Sequence, residues 1–267
     1  MPVIVGIAIA GLLFLLMVSG RHGHPGLQAL RGRYYAHRGL HSPAVPENSL
    51  AAFREAKDAG YGVELDLHLM KDGNLAVIHD SSLLRTAGVD LLVEDLTASE
   101  LAKYHLGDTE EHIPLFSQVL ELFNGEEPLI VELKSHNNNH KALCQAACDL
   151  LETYNGSYCV ESFDPRCILW LRRNKPNMIR GQLTEDFCKT DNKLPWIVKF
   201  AMKHQLCNIF IRPDFVAYKF EHRKTVSNFL CRKIWGVQGV SWTIRNQEDF
   251  DTAVKEGWIP IFENFKP

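Results

Sequence analysis

The sequence lacks the paired cysteines of a zinc site. It has seven cysteines, an odd number, and none of them forms a CxxC pair. Cys144 and Cys148 are one helical turn apart, but no histidine or cysteine pair completes a tetrahedral set with them. The pattern predicts reduced, mostly buried thiols, which favours a reducing compartment.

The sequence also lacks an excess of positive charge. It has 29 Lys and Arg against 32 Asp and Glu, which gives a net charge of -3 and a pI near 6.5. Nucleic-acid-binding domains normally carry a basic patch, so no nucleic-acid partner is expected. Internal repeats and the Gly-rich fingerprint of dinucleotide-binding folds are absent as well. The 267 residues suit one large α/β domain or two small ones.

The first 20 residues contain no charged side chain. Their apolar run, from Val3 to Val18, is at the short end of the roughly 17–25 residues that cross a bilayer. A cleaved signal peptide is the alternative, but no basic residue precedes the run. We therefore expect residues 1–20 to form a transmembrane anchor and residues 21–32 a juxtamembrane linker.

Basic residues follow this segment rather than precede it. Arg21, Arg31 and Arg33 come soon after the apolar run, and basic residues close to a span tend to stay on the cytoplasmic side. The sequence thus predicts a single-pass membrane protein whose main domain, residues 33–267, faces the cytoplasm.

Short apolar runs alternate with helical patterns through this main domain. Val63–Leu69, Leu129–Leu133 and Asn208–Ile211 are among the predicted strands, and Ala217–Cys231 is among the predicted helices. About eight such units fit a (β/α)8 or TIM barrel, which typically has about 250 residues. A doubly wound sheet is the alternative, because periodicity does not separate the two folds.

Acidic side chains share one face of a predicted strand. Glu64, Asp66 and His68 alternate with leucines, and alternate side chains of a strand point the same way. Acids that face a barrel interior would repel one another and resist desolvation. A divalent cation that prefers carboxylate oxygens, Ca²⁺ or Mg²⁺, removes both problems. Glu132 ends another apolar strand with Lys134 on the same face, so Glu64, Asp66 and Glu132 are predicted metal ligands.

Histidines end two further strands. His37 is followed by Arg38, and His79 is followed by Asp80. Histidine titrates near neutrality and can both accept and donate a proton. Arg38 offers a planar fork to a phosphate, and Lys134 offers a second cation. With a metal site, these residues predict phosphoryl chemistry.

The motifs occur in a fixed order along the chain. They are His37-Arg38-Gly39, Pro46-Glu47-Asn48-Ser49, Glu64-Leu65-Asp66, Lys71-Asp72-Gly73, His79-Asp80, Glu132-Leu133-Lys134, Ser241-Trp242-Thr243 and the closing Pro267. In this order they resemble the glycerophosphodiester phosphodiesterase family over about residues 33–267. The resemblance implies a TIM barrel with a small insertion over about residues 81–127, and metal-dependent hydrolysis of glycerophosphodiesters to an alcohol and glycerol 3-phosphate.

The resemblance also implies a role for each motif. The general acid/base pair would be His37 and His79. The metal ligands would be the three carboxylates already named. The substrate-binding residues would be Arg38, Glu47, Lys134 and Trp242.

Two positions depart from the family pattern. Met70 stands where Thr is common, and Glu263 stands where Asp is common. Neither is expected to touch the catalytic set, so the departures would affect substrate detail more than activity. His41 has no motif partner and is expected to be structural or exposed. His68, on the acidic face, is expected behind the metal ligands.

Three functions remain open from the sequence. The first is hydrolysis of water-soluble glycerophosphodiesters such as glycerophosphocholine. The second is lysophospholipase D activity on lysophospholipids, because an anchor would hold the site near lipid. The third, less favoured because every histidine and carboxylate of the motifs is present, is a non-catalytic relative that binds a phosphodiester. The sequence gives no indication of oligomeric state.

Overall fold

The strands form a closed parallel barrel. The computed structural model describes residues 1–190 and 192–267. The strands are β1 (Tyr35–His37), β2 (Gly62–Leu69), β3 (Leu75–Val77), β4 (Leu129–Leu133), β5 (Tyr158–Ser162), β6 (Arg180–Thr184), β7 (Phe215–Lys219), β8 (Gln238–Ile244) and β9 (Trp258–Phe262). All except β3 pair in parallel, and β1 closes the ring by pairing with both β2 and β9. The TIM barrel is confirmed, and the doubly wound sheet is wrong because the ring has no open edge.

Helices cover the outside of the ring. They are α1 (Pro2–Met17), α2 (Leu27–Leu30), α3 (Leu50–Asp58), α4 (Leu84–Ala87), α5 (Ala98–Leu101), α6 (Phe116–Phe123), α7 (His140–Leu151), α8 (Pro165–Asn174), α9 (Trp196–Lys203), α10 (Asn208–Ile211), α11 (Val226–Phe229) and α12 (Gln247–Lys255). Ser49 is the N-cap residue of helix α3, and its hydroxyl accepts a hydrogen bond from the Ala52 amide at 3.1 Å. This N-cap satisfies a free amide of the first turn and fixes the segment that carries Glu47 and Asn48.

Two predicted elements near β7 are wrong. Asn208–Ile211, predicted as a strand, forms α10, and the predicted helix over 217–231 begins inside β7. Helix α10 ends at Arg212, which lies in the left-handed region (φ 41°), and Pro213 follows it. The β7 strand is buried on both faces, so its apolar residues do not alternate with polar ones and resemble a buried helix.

The N-terminal apolar segment does form a helix, but a short one. Helix α1 has 16 residues, which at about 1.5 Å each reach about 24 Å, less than the roughly 30 Å of a bilayer's hydrocarbon core. Among the described residues, no helix combines the length and the apolar character needed to cross a membrane. The predicted transmembrane anchor over residues 1–20 is therefore not supported.

The segment predicted as a linker packs against the barrel. Leu27 and Leu30 of α2 are buried in an apolar cluster with Phe215 and Ile130 of the strands. The Tyr35 hydroxyl of β1 donates a hydrogen bond to the Leu30 carbonyl at 3.1 Å. Residues 21–32 therefore form part of the barrel's packing rather than a free connection.

The predicted insertion has a small apolar cluster of its own. Between β3 and α6, Leu83, Val93, Leu101 and Ile113 are buried together. Helix α6 belongs to the main barrel core instead, because its apolar face packs there. The insertion matters for function because it brings polar side chains to the carboxyl ends of the barrel strands.

Candidate active site

Parallel register brings the predicted metal ligands together. Asp66 of β2 is the register partner of Glu132 of β4, and Glu64 lies two residues earlier on the same face of β2. One oxygen from each of the three carboxylates lies within 4.8 Å of the others. All three residues are buried, with exposed fractions of 3%, 1% and 5% for Glu64, Asp66 and Glu132. Alternation along β2 and its parallel register with β4 therefore produce a compact acidic centre inside the barrel.

A fourth carboxylate was missed by sequence reasoning. Glu161 of β5 is the register partner of Glu132, is 1% exposed and lines the same cavity. Its Oε2 atom has no hydrogen-bond partner among the described residues. The signal was present, because Val160-Glu161 comes one residue before the end of β5, as Val131-Glu132 comes one residue before the end of β4. A lone glutamate at a strand end is, however, usually solvated.

Two cations lie among these carboxylates. The Lys134 ammonium is 2.8 Å from Glu132 Oε1 and 3.1 Å from Asp66 Oδ1. Arg38 Nε is 3.5 Å from Asp66 Oδ2, and the Asn48 amide donates to the same oxygen at 2.9 Å. Arg38 and Lys134 balance two of the four carboxylates when all are ionised. The remaining two negative charges match one divalent cation.

Burial and neighbouring charges shift the pKa values of the four carboxyl groups in different directions. Burial raises the pKa of Glu132 to about 7. Burial and the neighbouring carboxylates raise the pKa values of Glu64 and Glu161 well above the usual range. Burial would also raise the pKa of Asp66, but Lys134, His79 and Arg38 hold it well below its usual value. Asp66 thus stays ionised, and the other three carboxylates favour added positive charge.

The oxygen donors fit a hard divalent cation. Glu64, Asp66 and Glu132 offer carboxylate oxygens, the ligand type of Ca²⁺ and Mg²⁺. The buried oxygen of Glu161 that lacks a hydrogen-bond partner among the described residues offers a further carboxylate oxygen beside them. The centre is therefore a candidate metal site.

His37 lies between the buried carboxylates and Glu263, a residue close to the C-terminus. Its Nε2 atom is 3.8 Å from Glu64 Oε2, and its Nδ1 atom is 2.6 Å from Glu263 Oε2. The expectation that Glu263 does not touch the catalytic set is wrong. Glu263 follows β9, and the closure of the barrel places β9 beside β1, which carries His37. Glu263 also accepts from Arg245 at 2.5 Å.

His41 also belongs to this group. Its Nε2 atom is 3.8 Å from Glu263 Oε2, so the expectation of a structural or exposed residue without a site partner is wrong. Burial lowers the pKa of His37, and Arg38 lowers it further. The pKa of Glu263 is held below its usual range by His37, His41 and Arg245, although its burial acts in the opposite direction.

His79 has a separate supporting network. Its Nδ1 atom is 2.6 Å from Asp80 Oδ1, and Asp80 Oδ2 accepts from Arg85 at 2.5 Å. Arg85 of the insertion reaches Glu47 at 2.7 Å, and Glu47 accepts from Arg38 at 2.8 Å. Glu47 thus positions two arginines. Burial lowers the pKa of His79, despite the opposing effect of Asp66.

The site residues surround one cavity of about 160 Å³. It is lined by His37, Arg38, Glu64, His79, Glu132, Lys134, Glu161, Phe163, Leu183, Trp242, Thr243, Arg245 and Ile261. Most of the lining side chains are charged, and its apolar part includes Phe163 and Trp242, whose ring centroids lie 5.6 Å apart in an edge-to-face arrangement. Asp66 lies just behind the charged side chains. His68 is farther back, where its ring contacts Glu94 at 2.7 Å and the His79 carbonyl at 3.1 Å.

Glu263 has a testable positioning role. We expect Glu263→Gln to lower kcat by about 10–100-fold, the usual cost of losing a charged group that orients an active-site histidine. KM should change less, because Glu263 contacts His37 and Arg245 but neither Arg38 nor Lys134. Steady-state kinetics and ¹⁵N NMR of the His37 tautomer would measure both effects. Glu263→Asp, which keeps the charge, should restore most of kcat; equal losses in both variants would contradict the role.

Comparisons with known proteins agree with the motifs. Residues 37–266 match the model of the glycerophosphoryl diester phosphodiesterase family. A glycerophosphodiester phosphodiesterase of Caldanaerobacter subterraneus subsp. tengcongensis is 30% identical over 235 residues, which cover 83% of this chain and 89% of that protein. Lysophospholipase D GDPD1 of Rattus norvegicus is 34% identical over 140 residues, 48% of this chain and 43% of that protein.

A solved structure shares the fold. A phosphodiesterase of Oleispira antarctica, in complex with the product sn-glycerol-3-phosphate, superposes with a TM-score of 0.71 over 86% of this chain and 92% of that chain. At 21% identity this likeness is evidence of the fold only. The family match covers almost all of the barrel with its ordered motifs, and the chain therefore belongs to the glycerophosphoryl diester phosphodiesterase family.

Proposed function

We propose that the chain hydrolyses glycerophosphodiesters to an alcohol and glycerol 3-phosphate by metal-dependent acid/base catalysis. One observation carries this proposal: two histidines with supported Nδ1 atoms line the same small cavity as a buried carboxylate centre and two cations. Family membership and the relatives named as glycerophosphodiester phosphodiesterases support the substrate class.

Glu64, Asp66 and Glu132 would hold the divalent cation, Ca²⁺ or Mg²⁺. When bound, the cation supplies positive charge that stabilises the phosphoryl oxygens as charge builds on them. The absence of thiolate from this donor set is typical of sites for hard cations rather than soft ones.

Arg38 and Lys134 supply the protein's own contacts to the phosphate. Both line the cavity, and hydrogen bonds from charged donors to phosphate oxygens are short and strong. Glu47 fixes Arg38 through the 2.8 Å contact. Trp242 and Phe163 form an apolar part of the lining, which would exclude water from that part of the cavity.

The histidines would move the protons. Each Nδ1 atom is held by a carboxylate, Glu263 for His37 and Asp80 for His79. An Nδ1–H that donates to a carboxylate leaves Nε2 free to accept a proton. One histidine takes the proton of the attacking water as the new P–O bond forms. The other protonates the leaving alcohol oxygen as the old P–O bond breaks. Burial lowers the pKa values of both rings, which favours the neutral form of the ring that accepts a proton. The ring that acts as the acid must carry a proton on Nε2 as well as on Nδ1 before the alcohol leaves.

Lysophospholipase D activity is the second candidate. Relatives with that name match about half of this chain. A larger, chiefly apolar cavity also adjoins the catalytic one, and Phe163 lines both. Hydrolysis of a soluble glycerophosphodiester requires no such cavity.

A cytoplasm-facing barrel stays a prediction. It rests on Arg21, Arg31 and Arg33, which follow the N-terminal apolar helix. Arg21 also has a structural role, because its guanidinium pairs with the buried Asp214 at 2.5 Å.

Identifying the products tests the proposed function. Incubation of the protein with glycerophosphocholine and Ca²⁺ or Mg²⁺ should give glycerol 3-phosphate and choline, which ³¹P NMR distinguishes from phosphocholine and glycerol. The bond between phosphorus and the choline oxygen is the one that breaks. Release of phosphocholine, or no turnover with either cation, would contradict the proposal.

A further inference from the structure

A second cavity adjoins the catalytic one. It has a volume of about 700 Å³, within the roughly 300–1,000 Å³ typical of small-molecule sites. Its wall is formed chiefly by apolar side chains, among them Phe163, Phe187, Ile197, Val198 and Met202. Nothing in the proposed hydrolysis of a soluble phosphodiester uses this space.

Phe163 is the wall between the two cavities. It follows β5 directly after Glu161 and Ser162, and it lines both cavities. Its ring meets Trp242 edge to face at 5.6 Å on the catalytic side and Phe187 at 6.0 Å on the other side. The three rings therefore form a continuous apolar surface that extends from the catalytic cavity to the larger one.

The polar groups at the rim are already paired. The Ser135 hydroxyl donates to Asp164 at 2.6 Å, and Arg166 pairs with the same carboxylate at 2.8 Å. Among the described residues that line the larger cavity, these contacts leave no uncompensated charge to attract a polar ligand. Its occupant should be apolar.

The wall formed by α9 is open to solvent on its outer side. Ile197 lines the cavity and yet is 61% exposed, and the neighbouring Trp196 is 76% exposed. Exposed apolar side chains of this size gain free energy when an apolar ligand covers them. The same open wall gives a long flexible chain a way in from outside.

We propose that this cavity binds the acyl chain of a lysophospholipid whose phosphodiester occupies the catalytic cavity. The proposal rests on the proposed hydrolytic function and adds the substrate class. Water would attack phosphorus, the P–O bond to the head-group alcohol would break, and the alcohol would take the proton. The products are the free alcohol and an acylglycerol phosphate, with the acyl ester intact.

A chain-length series tests this assignment. Lysophosphatidylcholines with increasing acyl chains, each kept below its critical micelle concentration, are compared with glycerophosphocholine. The value of kcat/KM should rise by up to about fourfold for each methylene group that enters the cavity, and then level off when the cavity is full. Equal values for all chain lengths would overturn the proposal while leaving the hydrolytic function in place.

Ala201→Phe should block the cavity. Ala201 lies on α9 and lines the larger cavity only, so a phenyl ring there takes up space meant for the chain. We expect kcat/KM for a ten-carbon lysophosphatidylcholine to fall at least about tenfold, equal to the loss of about two methylene contacts. The same preparation's turnover of glycerophosphocholine reports whether the catalytic cavity is intact. Ala102→Phe, at an exposed position in the insertion, is the matched control.

A binding measurement separates failure of this proposal from failure of the hydrolytic function. Monomeric lysophosphatidylcholine is titrated into the protein in the presence of a chelator, with tryptophan fluorescence as the readout. Affinity should increase with chain length in the unmodified protein and in Ala102→Phe, and should fall in Ala201→Phe. Chain-independent affinity, or equal affinity in both variants, would overturn the acyl site even if hydrolysis is intact. Loss of hydrolysis with intact chain-dependent binding would overturn the function alone.

Discussion

Replacing His37 or His79 by alanine should lower kcat for glycerophosphodiester hydrolysis by about 10²–10⁴-fold or more. In the proposed mechanism each ring transfers a proton through Nε2, and its carboxylate partner cannot replace it, because that partner contacts Nδ1. The loss should appear in kcat more than in KM, since the proposed phosphate contacts of Arg38 and Lys134 remain. Steady-state assays on glycerophosphocholine measure the effect.

The control for these variants is His112→Ala. His112 is exposed in the insertion, and its ring contacts the Tyr104 carbonyl at 3.0 Å, so its loss should leave kcat unchanged. Thermal melts of all three variants should show a folded barrel. If His37 and His79 serve one mechanism, the double variant should be little worse than the poorer single variant. Full activity in either single variant would contradict the assignment.

Asp66→Asn should abolish tight cation binding and hydrolysis together. Asp66 is the carboxylate of the centre that stays ionised, since Lys134, His79 and Arg38 lower its pKa despite burial. The asparagine keeps the shape but removes a full negative charge from the donor set. We expect cation affinity to fall by at least about 100-fold. Calorimetric titration of Ca²⁺ or Mg²⁺ into chelator-treated protein measures this without relying on turnover.

Asp90→Asn is the matched control, because Asp90 is exposed and lies away from the cavity lining. It should bind the cation as the unmodified protein does. Cation affinity that is equal in the two variants would show that the ion binds elsewhere, and would contradict a site at Glu64, Asp66 and Glu132.

The sequence predicts the acidic centre well because strand alternation and parallel register determine its geometry. Alternation in β2 places Glu64 and Asp66 on one face, and parallel register with β4 brings Glu132 beside Asp66. Glu161 could have been found by the same reasoning, since it lies in the next strand of the barrel, β5, as the register partner of Glu132. A single carboxylate at the end of a strand is too common to identify without that register.

Glu263 shows what local patterns do not provide. It is 226 positions from His37 in sequence, and the two residues meet only because the barrel closes through β9 and β1. The apolar cavity beside Phe163 is a further case. It is formed by segments far apart in the chain, and its walls consist of residues that the sequence shows only as ordinary apolar positions.

The predictions of secondary structure around β7 are wrong for a different reason. Strands of a barrel are buried on both faces, so Phe215–Lys219 shows no alternation, and the short helix α10 before it shows only an apolar run. The N-terminal segment is helical, and its length was already visible in the sequence. The apolar run from Val3 to Val18 and helix α1 both have 16 residues, which is below the roughly 17–25 residues of a membrane span.

The most direct test is whether hydrolysis is lost when the cation is removed and recovers when the cation is added back. Glycerophosphocholine turnover is followed by ³¹P NMR before chelation, after chelation, and after Ca²⁺ or Mg²⁺ is added back. We expect glycerol 3-phosphate to form before chelation and after the cation is added back, but not in the chelated protein. In Asp66→Asn, adding the cation should not restore turnover. Undiminished turnover in the chelated protein, or full recovery in Asp66→Asn, would contradict these expectations.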